Sequence, residues 1–477
     1  MKSIEEWGKT KDGRSISRYT IMNETGSYAV ISNYGAVLHQ LWVPDKDGKL
    51  ADVVLGFEDP ESYFINNPAF GSVVGPYANR IEAGQFSING KTYQLEKNEG
   101  NNTLHSGPSP FFRRLWEVTD YDGASVTLLV KNADGECGFP GNVELSVTYA
   151  LSNDNTLSIS YSAHSDQDTA LNVTNHSYFN LSGHDSGLIL DEIAWIDSDA
   201  ITATDEVSVP HGELFSVDGT AMDFRTPKAL GRDINDTSCD PIRIGGGYDH
   251  NYVLDTKPGE VKLVASLEDH ASGRKMEVYT DMPGMQLYTG NFIEPDPVGK
   301  GGIHYQKRSG VAFETQYYPN AINVPSFPQP LLKAGKTWES TTAYKFSTLE
   351  VIEVIHEENR SYRRWYCRTC HTEHRADARI KRSWIRDYLY RIQKRYGKRP
   401  DRSNRDQVLR HLLRQTPSLL RLEKLLRPLP GNERFLRGKE NSAQDQAGCH
   451  LLKRRLCICS CCSRCQSAPH PCCHSRI

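Results

Sequence analysis

Cysteine is nearly missing from most of this chain. Of its 477 residues 12 are cysteine, and only Cys137 and Cys239 precede residue 351. A disulfide scaffold is therefore excluded for residues 1–350. No run of about 18 apolar residues occurs, which excludes a membrane-spanning helix. The opening residues MKSIEEWGKTKDGRSISRY carry charges where a secretory signal needs an apolar core. The expected compartment is the cytoplasm, with no membrane partner. Positive charge is scarce as well: residues 1–350 hold 27 Lys+Arg against 47 Asp+Glu, a net −20. That balance argues against nucleic acid as the partner of this region. Fixed-period repeats and long amphipathic helical stretches are also missing before residue 350.

Beyond that point the composition reverses. Residues 351–477 hold 29 Lys+Arg against 12 Asp+Glu, a net +17, and ten of the cysteines. An asymmetry of this size separates two regions, residues 1–350 and a basic Cys/Arg-rich tail over 351–477. Leucine-bearing stretches over 385–396 and 408–427 fit short basic helices. The end, Cys457-Ile458-Cys459-Ser460-Cys461-Cys462-Ser463-Arg464-Cys465, is dense in cysteine. Cys367-Arg368-Thr369-Cys370-His371 has the spacing of a zinc half-site and of haem attachment. Haem attachment needs export, and no second well-spaced zinc pair stands out. A basic patch for nucleic acid or an anionic membrane is a further reading. Arg, Cys, Ser, Pro and Leu accumulate here with poor periodicity. That favours a disordered or non-native extension, either a fusion or a frame-shifted translation.

What residues 1–350 do contain is strand signal. Tyr28-Ala29-Val30-Ile31-Ser32, Gln40-Leu41-Trp42-Val43, Asp52-Val53-Val54-Leu55-Gly56-Phe57 and Gln85-Phe86-Ser87-Ile88 are short apolar or aromatic runs. Asp47-Gly48, Asn89-Gly90, Asp122-Gly123 and Asp134-Gly135 mark turns between such runs. Glu144–Leu151 and Thr156–Ala163 alternate with period two across a polar linker, so they predict a hairpin. Many strands with few helices predict an all-β sandwich or barrel, built from large twisted sheets.

The densest polar stretch is Leu171-Asn172-Val173-Thr174-Asn175-His176-Ser177-Tyr178-Phe179-Asn180-Leu181. Val173 and the Tyr178-Phe179 pair favour extended backbone. Asn175, Ser177 and Asn180 surround His176 and offer hydrogen bonds to fix its tautomer. An imidazole so held, with an ordinary pKa near ~6.5, gives or takes a proton at neutral pH. A core histidine satisfied by amides is the alternative, and the polar density favours the functional reading.

Four further clusters stand out. Gly75-Pro76-Tyr77-Ala78-Asn79-Arg80-Ile81 carries an arginine that projects a fork of donors into a cleft or simply faces water. Asn101-Asn102-Thr103-Leu104-His105-Ser106-Gly107 is a loop with one histidine. Gly245-Gly246-Gly247-Tyr248-Asp249-His250-Asn251-Tyr252 sets an aspartate beside tyrosines, as polyol pockets do, or is a glycine-rich turn. No Lys-Ser/Thr follows its glycines, so it is not a phosphate loop. In Val311-Ala312-Phe313-Glu314-Thr315-Gln316, Glu314 follows three apolar residues. It is either a desolvated carboxylate with a raised pKa, usable as a general base, or an edge-strand glutamate facing water.

Taken together these stretches resemble the aldose 1-epimerase (galactose mutarotase) family. Asn172–Leu181 is similar to the family signature around its catalytic histidine. Ala78-Asn79-Arg80-Ile81, Leu104-His105, Tyr248-Asp249-His250, Pro283–Asn291 and Phe313-Glu314-Thr315-Gln316 follow in family order. The resemblance covers about residues 1–350. It implies a large antiparallel β-sandwich and a cofactor-free, metal-free isomerase that interconverts the α and β anomers of hexoses such as glucose and galactose, as a monomer or dimer. By resemblance Glu314 is the base at the anomeric hydroxyl and His176 the acid at the ring oxygen, and the two exchange roles on ring closure. His176 is then expected to be protonated, helped by a nearby carboxylate, with a sugar-sized gap between the pair. Asn79, Arg80, His105, Asp249 and Gln286 are expected to hold sugar hydroxyls. Departures at Pro76, Ser106 and Asn320 bear on sugar preference rather than on reaction type. Three other readings stay open: a hexose-phosphate epimerase of the same fold, a glycoside hydrolase using Asp249 and Glu314, and a non-enzymatic carbohydrate-binding protein.

Overall fold

The alternating runs become antiparallel pairs. Val143–Leu151 and Thr156–Ser165 form the expected hairpin, in register from Val143↔Ser165 to Leu151↔Leu157. Period two puts Leu145, Val147, Tyr149, Leu157, Ile159 and Tyr161 on one face, and all six are buried. Asn89 and Gly90 both take positive φ, 52° and 77°, and join Gln85–Ile88 to Lys91–Gln94. Such a two-residue turn matches the twist of the strands that it connects.

This computed structural model describes residues 3–293 and 298–349. The Cys367/Cys370 pair, the basic stretches and the cysteine-dense end all lie outside the described residues.

Three large antiparallel sheets make an all-β sandwich. A five-stranded meander runs from Ser3–Lys9 to Leu50–Asp52. A nine-stranded sheet holds the hairpin and, at its middle, Thr337–Thr348 beside Arg274–Thr280. A six-stranded sheet runs in the order Tyr178–Phe179, Val311–Gln316, Gly284–Tyr288, Asp249–Val253, Ala200–Thr204, Pro210–Ser216. One core joins all three: Ile31 and Leu41 from the first, Leu145, Val147 and Val278 from the second, Met285, Leu287 and Phe313 from the third. The Tyr344 hydroxyl donates to the Phe313 carbonyl at 3.0 Å, tying the nine-stranded sheet to the six-stranded one. Among the described residues one short α-helix occurs, Asp240–Gly245, and none is long and apolar enough to cross a membrane.

One apolar run departs from expectation. Asp52–Phe57 is not a regular strand, because the ladder ends at Leu50–Asp52. Val53, Val54 and Leu55 continue as a fully buried connection. Its backbone is still satisfied, since the Leu55 N–H donates to the Tyr178 carbonyl and the Asn180 N–H donates to the Val53 carbonyl. That pairing anchors the segment just after His176.

Candidate active site

The floor of the site is one face of the six-stranded sheet. Glu314 stands opposite Gln286, and Gln286 opposite Asn251, on three neighbouring strands. Alternation turns Phe313 and Leu287 into the core while Glu314, Gln286 and Asp249 share the other face. Glu314 is 2% exposed, so the edge-strand reading does not hold: Val311–Gln316 is paired on both sides. The Gln286 amide Nε2 donates to Asp249 Oδ1 at 2.6 Å and fixes that carboxylate. The glycines before Asp249 serve the chain itself. Gly246 ends the helix in the left-handed region at φ 61°, and a side chain at Gly247 would collide with Asn291.

His176 enters from a different segment. Thr174–Asn175 pairs with Val73–Val74, the His176 N–H donates to the Ser72 carbonyl, and its own carbonyl accepts from the Gly71 N–H. The backbone thus delivers the imidazole to the sheet. Its Nε2 lies 3.4 Å from Glu314 Oε1. The ring packs against Tyr178 at 4.9 Å between centroids and meets Tyr288 edge-on at 6.1 Å. The polar neighbours expected to fix its tautomer do something else. Asn175 Nδ2 donates to the Gly71 carbonyl and to the Tyr149 hydroxyl, Ser177 donates to Asn175, and Asn180 Nδ2 donates to the carbonyls of Gly187 and Ser309. They pin the backbone, and His176 Nδ1 has no hydrogen-bond partner in the protein.

The third wall comes from the pairing of Arg80–Ile81 with Thr103–Leu104. That register sets His105 beside Asn79: the Asn79 N–H donates to His105 Nδ1 at 3.1 Å, and the His105 N–H donates to the Asn79 carbonyl at 3.1 Å. Both residues hold positive φ, 62° and 51°. The His105 ring stands edge-on to His176 at 5.6 Å. Arg80 extends its fork not into open space but onto Glu99, with Nε and Nη2 at 2.7 and 2.8 Å from the carboxylate oxygens. A cavity of about 670 Å³ opens beside this pair, reaching Glu82, Asn102, Asp205 and Val209. Glu99 and Tyr288 are the residues that sequence reasoning missed. Tyr288 lies inside the Pro283–Asn291 stretch, whereas a glutamate among loop asparagines and glycines carried no signal.

Burial dominates the electrostatics. It pushes Glu314 well above the usual carboxylate range; the Asp249 charge adds to this and Arg80 opposes it. Asp249 is also raised by burial, against the pull of Arg80 and the Gln286 bond. His176 is pushed down to about 4 by burial, and His105 falls well below its ordinary value through burial, His176 and Arg80. Burial therefore works against the protonated resting His176 that the resemblance implies. Desolvation disfavours charge on both partners, and at 3.4 Å the low-energy form of the pair is a neutral carboxyl beside a neutral imidazole. The sugar-sized gap is absent too, because the two groups are neighbours. A carboxyl and an imidazole so placed can share one proton, and its transfer between them would leave a carboxylate beside an imidazolium.

The seven candidate residues come from six chain segments: Asn79 and Arg80 from one, and His105, His176, Asp249, Gln286 and Glu314 from one each. Their span matches a known family: the sequence model described as Aldose 1-epimerase covers residues 17–345. The galactose mutarotase of Bos taurus is 40% identical over 333 residues, 70% of this chain and 94% of its own length. The aldose 1-epimerase of Escherichia coli K12 is 34% identical over 337 residues, 70% of this chain and 96% of its own. Among solved structures, a galactose 1-epimerase from Lactobacillus acidophilus matches with a TM-score of 0.65 at 27% identity, covering 73% of this chain and 99% of that one. An aldose epimerase homologue from C. elegans matches with a TM-score of 0.63 at 29% identity, over 70% of this chain and 99% of that one. Asn79, Arg80, His105, His176, Asp249, Gln286 and Glu314 all fall inside the matched span.

Proposed function

This chain belongs to the aldose 1-epimerase family and is an isomerase of that kind, and we propose that Glu314 and His176 carry its proton transfers on hexoses such as galactose and glucose. The observation that carries this reading is their 3.4 Å approach. The anomeric hydroxyl and the ring oxygen are bonded to the same carbon, so one base and one acid that serve them must stand side by side. Glu314 takes the proton of the anomeric hydroxyl as His176 gives one to the ring oxygen. The ring opens to an aldehyde, the bond beside it rotates, and the reverse transfers close the ring on the other face. No proton is gained or lost over the cycle.

Asp249 accepts from adjacent sugar hydroxyls, fixed by Gln286, while Arg80, His105 and Asn79 orient the others. Arg80 is already neutralised by Glu99, which favours an uncharged aldose over a sugar phosphate. The relatives named galactose mutarotase support galactose as one substrate. Residues 1–350 carry the whole activity in this reading, and the tail takes no part. The enzyme works in the cytoplasm as a monomer or dimer, without membrane or nucleic-acid partners. The test is polarimetric. Fresh α-galactose or α-glucose is added and the decay of optical rotation followed; acceleration supports the reading, and an unchanged decay overturns it.

A further inference from the structure

The polar face that carries Glu314 continues past it. Gln316 lies two residues on along the same strand, about 7 Å further at ~3.4 Å per residue, and on the same face. Its amide is fully buried, and neither Nε2 nor Oε1 has a hydrogen-bond partner in the protein. Across the sheet Gln316 faces Gly284. A Cβ at that glycine would sit 2.5 Å from Asn251 Oδ1 and 2.8 Å from the Tyr318 ring. The missing side chain leaves room for the Asn251 amide over Gly284. Asn251 is 2% exposed, and its amide also has no protein partner. Glu314 Oε2 is the unpartnered acceptor of the same row.

Unpartnered amide donors therefore share one buried face of the sheet with an unpartnered carboxylate oxygen. Leaving buried polar groups unpaired is costly, so a fold retains them where a partner forms during work. We propose that Gln316, steadied by Asn251 across Gly284, is the positioning residue that donates an amide N–H to Glu314 Oε2 when that carboxylate ionises. This rests on Glu314 being the base. The donor stabilises the carboxylate–imidazolium form of the pair at the expense of the neutral one, and so sets how often the pair is ready to open a ring.

Other groups face Glu314, and none supplies this bond. His176 meets the other oxygen, Oε1. Asp249, two strands over in the same sheet, opposes ionisation, while Arg80 favours it from the Asn79–Ile81 segment with its fork held by Glu99. Tyr178 and Tyr288 on the site side, and Tyr344 from the nine-stranded sheet, all stay protonated, with pKa values pushed up by burial.

The experiment is the pH profile of kcat for the wild type and for Gln316→Met, with Asn251→Leu as a second variant. Loss of the donor should lower kcat at the optimum about tenfold and move the alkaline limb up by about one unit, with KM within about twofold. Asn251→Leu should show a smaller shift in the same direction. In ¹⁵N-labelled wild-type protein, one glutamine side-chain NH₂ signal should titrate with the alkaline limb, and should stop doing so in Glu314→Gln. A uniform loss of rate with an unmoved profile, or no titrating amide, overturns the proposal. A wild type without catalysis would instead overturn the reading of Glu314 and His176.

Discussion

Glu314 Oε1 and His176 Nε2 lie 3.4 Å apart, although the residues are far apart in sequence and only Glu314 sits within a strand, His176 lying between Thr174–Asn175 and Tyr178–Phe179. Both side chains are almost wholly buried. Buried together at that distance, the two groups can pass one proton between them.

Removing either member should stop the chemistry without removing the site. Glu314→Gln and His176→Asn are each expected to lower kcat by about 10²–10⁴-fold, with KM changed far less. Polarimetry on fresh α-galactose checks this. A variant that keeps full rate would be removed from the mechanism.

The pH profile of kcat should be a bell that belongs to the pair. Below about 4 the imidazole and the carboxyl are both protonated and no base remains. Above the raised value of Glu314 the shared proton is lost and no acid remains. The alkaline limb should therefore lie well above the ordinary carboxylate range. Asp249→Asn removes a neighbouring negative charge and should move that limb down, while raising KM.

Stability should follow the same two shifts with opposite signs. His176 is depressed to about 4, so acidification from 6.5 protonates the unfolded chain first and costs up to roughly 3 kcal/mol by this group. Glu314 is raised, so its contribution is full below the unfolded value of 4.5 and is lost as pH rises toward its folded value. Glu314→Gln should accordingly melt above the wild type at pH 7, and the gap should shrink near pH 4. Thermal unfolding across that range measures both.

Two structural positions give direct checks. Glu99→Ala should free the Arg80 fork from its two bonds at 2.7 and 2.8 Å and weaken substrate positioning, seen as a several-fold rise in KM with little change in kcat. Gly247→Ala should destabilise the protein by more than about 1 kcal/mol, because φ is 143° and the new Cβ meets Asn291.

Much of this was legible in the chain because local pattern and tertiary need agree. The period-two runs at 143–165 became a hairpin, and the apolar residues before Glu314 correctly announced a buried carboxylate. What escaped reading depended on distant partners. Val53–Leu55 looked like a strand, yet its backbone pairs irregularly with Tyr178 and Asn180. Asn175 and Ser177 looked like partners of His176, whereas each bonds to Gly71, Tyr149 or its neighbour. Glu99 gave no signal, since only the Arg80–Leu104 pairing brings it to the arginine. The close approach of His176 and Glu314 was hidden too, because a sequence carries the residue types but not the distance between segments brought together by the fold.

The most direct measurement is the decay of optical rotation of freshly dissolved α-galactose with equal amounts of wild type and Glu314→Gln. The account predicts that the wild type accelerates the decay and that the variant, still folded, leaves it at or near the uncatalysed rate. Acceleration by Glu314→Gln equal to that of the wild type would contradict it.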